Sequence, residues 1–153
     1  MDASAISQII FLIILLIFSA FFSSAETALT TVNKIRMRTL ADDGNKRAER
    51  VLRITDDSHK MLSAILIGNN IVNLSASSLA TTLAIKLWGS VGAGIATGIL
   101  TFLILVFGEI SPKTFATLYA DQISIAYSGI IGFLMKILTP VIFLVNQFSM
   151  GFL

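Results

Sequence analysis

Ile9-Ile-Phe-Leu-Ile-Ile-Leu-Leu-Ile-Phe-Ser-Ala-Phe-Phe22 is the stretch whose reading decides the fold. It carries no charge, and Ser19 is its one polar side chain. It lies inside a longer uncharged segment, residues 3–25. A helix needs roughly 20 apolar residues to cross about 30 Å of hydrocarbon. Lipid offers backbone groups no hydrogen-bond partner, so a crossing segment bonds within itself as a helix. Residues 61–85 and 87–108 are also free of charge. The reading is an all-α integral membrane domain with spans at about 5–30, 60–86 and 91–110. Two further uncharged stretches, 122–135 and 137–153, are marginal in length. The whole of 112–153 is therefore expected to be re-entrant, or a juxtamembrane helix lying at the interface, with Asp121 as an N-cap and Pro140 as a kink.

Composition narrows the chemistry. Of 153 residues, 55% are apolar and 13% charged, against about 25% charged in a soluble domain. The absence of cysteine excludes disulfides, thiolate metal sites and thiol nucleophiles. A single histidine, His59, excludes a multi-histidine metal centre in one chain. His59 stands among Asp56, Asp57 and Lys60, where a solvated or helix-capping role outweighs a catalytic one, so no enzyme is expected. The net charge of +2 conceals a cluster: eight of the eleven Lys and Arg residues fall between Lys34 and Lys60. Apolar spans bracket that cluster, so it reports topology and not nucleic-acid binding. The positive-inside rule puts the 33–58 segment in the cytoplasm, as two short helices broken at Gly44-Asn45. Asp56, Asp57 or Ser58 is placed to cap the second span. The start, Met-Asp, lacks the basic region of a secretory signal, so the first span is expected to remain. Gly94 and Gly98 have the spacing that lets helices approach closely, and packing within one subunit is the expected use, ahead of a dimer face.

Polar groups inside the spans are the candidates for function. Ser19, Ser23 and Glu26 fall on one face of the first helix. Asn69, Asn73 and Ser77 fall on one face of the second, with Asn70 beside them. Glu109 closes the third, within Phe107-Gly-Glu-Ile-Ser-Pro-Lys-Thr114. An ionisable group in a span costs several kcal/mol to bury and marks a functional site by default. Pro112 lacks an N–H and crowds the preceding turn, so the helix is expected to break near Ile110 and free carbonyls around Val106–Glu109. Carboxylate, amide, hydroxyl and backbone oxygens suit Mg²⁺, Ca²⁺ or Na⁺ and disfavour Zn²⁺ or copper.

Three motifs in order carry a family resemblance. Phe18-Ser-Ala-Phe-Phe-Ser-Ser-Ala-Glu-Thr-Ala-Leu29, Gly68-Asn-Asn-Ile-Val-Asn73 and Gly108-Glu-Ile-Ser-Pro-Lys113 resemble signatures of the CorC/cyclin M (CNNM) family. The resemblance covers essentially the whole chain. It implies a dimeric Mg²⁺ transporter of a bacterial plasma membrane, an exporter coupled to Na⁺. It also implies three spanning helices with a juxtamembrane helix, and an ion site of first-helix serine, second-helix asparagine and the glutamate before proline. By motif these are Ser19 or Ser23, Asn70 or Asn73, and Glu109; from the expected helix break, a free carbonyl near Gly108 is an additional ligand. Members usually continue into cytoplasmic CBS domains, and this chain stops inside an apolar segment at Met150-Gly-Phe-Leu153, as a piece of a longer protein would. A divalent-cation channel and a non-transporting dimeric anchor for regulatory domains are the competing readings.

Overall fold

The computed structural model describes residues 3–151. Met1 and Asp2, on which the signal-peptide expectation rests, lie outside the described residues, as do Phe152 and Leu153 of the last apolar stretch. Every described element is helical: α1 (Ala3–Thr31), α2 (Lys34–Asp42), α3 (Lys46–Asp56), α4 (Ser58–Trp88), α5 (Ser90–Leu103), a π-helical segment (Ile104–Ile110), α6 (Ser111–Leu118), α7 (Ala120–Ile137) and α8 (Thr139–Gly151). Three continuous helices are long and apolar enough to cross a membrane: Ala3–Thr31, Ser58–Trp88 and Ser90–Leu118. Only 22% of the most apolar window of the first is buried, and Ile6, Ile10, Phe11, Ile13, Ile14 and Ile17 are exposed. Such a surface is tolerable only where lipid covers it. The chain is a multi-pass α-helical membrane protein.

The third span corrects one expectation. The helix does not break at Ile110 but runs to Leu118. Residues 111–118 thus continue the third helix. The physical reason is the π-helical stretch before Pro112. Widening the turn moves the preceding carbonyls out of α register, which relieves the clash a proline ring makes in an α-helix.

Packing divides the chain into two compact units, Met1–Ser24 with Gly68–Phe115 and Ala25–Ile67 with Ala116–Leu153. In the first unit, α1 and α4 run antiparallel. Lys86 donates to Ser4 Oγ at 3.3 Å, Ser19 meets Asn73, and Phe22 meets Gly68, so numbers rise on one helix as they fall on the other. A Cβ at Gly68 would lie 2.6 Å from the Phe22 ring. That ring is buried and packs edge-on to Phe21, centroids 5.2 Å apart, so it has little room to retreat. Gly68→Ala should therefore lower stability by about 1–3 kcal/mol, read as a fall in the thermal midpoint in detergent. An unchanged midpoint would mean the two helices are not held at this distance. Gly89 turns α4 into α5 at φ 79°, a conformation that costs a side chain dearly. The expected packing of Gly94 and Gly98 within one subunit is absent: nothing lies within 4 Å of a Cβ at either. The close approaches are made at Gly68, Gly92 and Gly108 instead.

In the second unit, α3 packs on both α2 and α7. Its buried face is Ala48, Val51, Ile54 and Thr55. Asn45 caps α3 by accepting from the N–H groups of Arg47 and Ala48, and Gly44, at φ 97°, makes the break before it. Asp57 precedes α4 and its carboxylate accepts the Lys60 N–H at 3.4 Å. Asp121 is not the N-cap of α7: Tyr119 holds that position without a side-chain bond. Asp121 lies in the first turn, and its carboxylate accepts the Asn33 N–H at 2.9 Å and pairs with Arg36 at 3.6 Å. Clamping the start of α2 competes with capping and wins. Pro140 lies in the first turn of α8, where its missing N–H costs nothing. The pair α7 and α8 is bent by 65°, so this segment is a broken span or a re-entrant loop and not a straight fourth helix.

Candidate functional site

The polar residues of the spans converge in the first unit. Ser19 and Ser23 lie one turn apart on α1, both 1% exposed. Asn69 and Asn73 lie one turn apart on α4, both half-buried. Ser19 Oγ donates to Asn73 Oδ1 at 2.9 Å. The antiparallel register then sets Ser23, one turn on, at the level of Gly68 and Asn69. At that level Ser23 Oγ and Asn69 Oδ1 are both buried with no hydrogen-bond partner. Two orphaned oxygens in a membrane span are costly, since neither lipid nor protein replaces the water they lost. The neighbouring Ser24 shows the ordinary alternative, donating to the Phe21 carbonyl at 3.0 Å.

The π-helical segment brings the third helix to the same place. Gly108 is buried, and a Cβ there would sit 2.9 Å from Ser19 Oγ. The segment also rearranges the backbone. The Ser111 N–H donates to Val106 O, so it is not bonded to Phe107, its α-register partner. Pro112, the α-register donor to Gly108, has no N–H to give. Phe107 and Gly108 are thus the two carbonyls stripped of their ordinary donors, without the helix ending. Glu109 follows on the same segment, half-buried. Among the described residues it has no ion-pair or hydrogen-bond partner.

Of the residues singled out from the sequence, the structure gathers Ser19, Ser23, Asn73 and Gly108, with Glu109 adjoining on the π-helical segment. Asn70 is exposed and does not join the buried set in a single chain. Asn69 takes its level instead. Its spacing of four from Asn73 is the signal that marks it. Glu26 belongs to the second unit. No group of three or more His, Cys, Asp and Glu residues able to hold a metal occurs among the described residues. Any ion held here is held by hydroxyl, amide and carbonyl oxygens around one carboxylate. That donor set fits a hard cation and gives nothing to a soft one.

These features define a class, a polytopic helical membrane domain with a polar, oxygen-lined site among its spans. The family model described as the cyclin M transmembrane N-terminal domain matches residues 10–153, and the chain belongs to that family. It is similar to a UPF0053 protein of Haemophilus influenzae, 45% identical over 97% of this chain and 36% of that one. It is similar also to the UPF0053 inner membrane protein YfjD of Escherichia coli, 41% identical over 86% of this chain and 31% of that one. A chloroplastic DUF21 domain-containing protein of Arabidopsis thaliana is 38% identical over 95% of this chain and 22% of its own length. The chain spans about a third of the length of the two bacterial relatives.

Proposed function

We propose that this domain moves Mg²⁺ across a bacterial inner membrane, the ion passing through the site formed by Ser19, Ser23, Asn69, Asn73, the backbone at Phe107–Gly108, and Glu109. The observation that carries the reading is the pair of buried, partnerless oxygens, Ser23 Oγ and Asn69 Oδ1, at one level of the spans. A membrane anchor with no cargo has no reason to keep them, because each costs on the order of 1–3 kcal/mol left unpaired. A cation satisfies both. Mg²⁺ asks for near-octahedral oxygens at about 2.0–2.1 Å and sheds water reluctantly. Neutral oxygens therefore replace the waters it gives up, while Glu109 supplies charge. A single carboxylate among neutral oxygens also tolerates Na⁺, which supports Na⁺ as the coupling ion of an exporter. The relatives' greater length supports a place for this domain in a larger protein with cytoplasmic CBS domains. The uncovered stripe at Gly94 and Gly98 supports a homodimer.

The test is flux from liposomes containing the purified chain, with Mg²⁺, Ca²⁺ and Na⁺ gradients set independently. Mg²⁺ release should rise about tenfold or more over protein-free vesicles and respond to an opposing Na⁺ gradient. Release driven by the Mg²⁺ gradient alone, indifferent to Na⁺, would establish a channel. No release of any cation from folded protein would establish the anchor.

A further inference from the structure

A second site stands in the other unit. A cavity of about 460 Å³ opens between α3, the start of α4 and α7. Arg50, Arg53, Lys60 and Lys136 line it, against one acid, Asp57. We propose that this cavity is a receptor for a phosphate-bearing anion, occupied by the headgroup of an anionic phospholipid.

The sequence builds the room deliberately. Arg50 and Arg53 follow at i and i+3, so they share one face of α3, and Asp57 stands just past its end as the C-cap. Opposite them α7 places Gly129 and Gly132 at the same spacing. A Cβ at Gly129 would lie 2.9 Å from Arg50 Nη1, and one at Gly132 would lie 3.6 Å from Ile54 Cγ2. The two glycines thus leave open the space a side chain would fill, and the Arg50 guanidinium reaches into it.

The charge balance calls for an anion. None of the four cations has an ion-pair partner among the described residues. Asp57 already spends a carboxylate oxygen on the Lys60 N–H. Four positive groups around one cavity repel each other, and the repulsion grows as water is displaced. Guanidinium groups match phosphate oxygens two at a time, and a lysine adds point charge.

The lipid is the source the surroundings favour. The cavity's remaining wall is apolar: Ile54, Met135 and Phe133, the last 61% exposed. Residues 122–135 of α7 carry no charge, and Lys136 follows at once. A headgroup among the cations would leave its acyl chains along Phe133 and the apolar helix. The same basic residues argue for a cytoplasmic position, where anionic lipids lie and where basic pockets beside spans take their headgroups.

The test is calorimetric titration of the purified chain in a neutral detergent with three probes: dihexanoyl phosphatidylglycerol, dihexanoyl phosphatidylcholine and inorganic phosphate. Two variants attack the cavity: Arg50→Gln with Arg53→Gln, and Gly129→Leu, which fills the space and keeps every charge. Lys34→Gln with Arg38→Gln removes equal charge from exposed positions on α2 and serves as control. Saturable binding of the phosphatidylglycerol and not of the other probes, weakened about tenfold or more by the cavity variants and unchanged in the control, is the expected result. Inorganic phosphate binding as tightly, with the same variant pattern, would keep the phosphate site and overturn the lipid as its occupant. Absence of saturable binding, or equal loss in the control, would overturn the site. Should Gly129→Leu fail to fold, the arginine pair against its control decides alone.

Discussion

Glu109→Gln should abolish saturable Mg²⁺ binding and Mg²⁺ flux while leaving helix content and thermal midpoint unchanged or slightly raised. Glutamine keeps the volume and one acceptor oxygen, so the packing of the π-helical segment has no cause to shift. What it removes is the one negative charge of the proposed site. Disturbing only an outer group around a bound metal typically costs about 10- to 100-fold in affinity. Removing the charged ligand itself should exceed the upper figure. The sign of the stability change is the informative part. Glu109 has no cationic partner among the described residues, and an unpaired carboxylate in a span is itself destabilising. Neutralising it relieves that cost. A structural glutamate would give the opposite pattern, with stability lost and ion binding indifferent. Calorimetric titration with Mg²⁺ beside a thermal melt separates the two. Unaltered Mg²⁺ affinity in the variant would remove Glu109 from the site.

The spans were legible because they depend on composition over a long window. No charge between residues 3 and 25 leaves a helix as the only hydrogen-bonded solution in lipid. The break at Gly44-Asn45 was legible for a local reason. A positive φ favours glycine, and an asparagine with helix-forming residues after it finds two free N–H groups to accept. The third helix was not legible at Pro112. Proline removes a donor in any helix, but whether the chain breaks or widens by one residue depends on what the freed turn packs against. Here that is Ser19, on a helix nearly ninety residues away in sequence. Asp121 fails the same way: capping residue and long-range clamp look identical until Asn33 is seen beside it.

The candidate site was legible as a set of faces and not as a register. Spacing by four joined Ser19 to Ser23 and Asn69 to Asn73 without distinguishing which partners meet. The motif drew attention to Asn70, yet Asn70 is exposed and Asn69 holds the partnerless oxygen. A helix turns about 100° per residue, so one position moves a side chain from the α1-facing side of α4 to its flank. The pairing of Ser19 with Asn73, together with Phe22 against Gly68, sets that rotation.

Gly108→Ala tests whether that pairing and the third helix form one device. The added methyl would sit 2.9 Å from Ser19 Oγ, 3.5 Å from Ser19 Cβ and 3.6 Å from Ile104 Cγ2. The last two distances are ordinary contacts, so the conflict is with one oxygen. That oxygen donates to Asn73. Moving it forfeits the hydrogen bond, about 1 kcal/mol, and adds overpacking strain of about 1–3 kcal/mol. Transport should fall with it, since Ser19 and Asn73 no longer hold their oxygens in place. Ser19→Ala deletes the offending atom. In that background Gly108→Ala should cost far less stability than in the parent, and the double-mutant cycle should show coupling of about 1 kcal/mol or more. Transport should stay low in the double variant, because the hydroxyl is gone although the strain is gone too. Stability restored without activity would place Gly108 as the residue whose lack of a side chain lets the third helix reach the ion. Additive losses in the cycle would show that the helices can separate at this point, and the shared site would then lose its third wall.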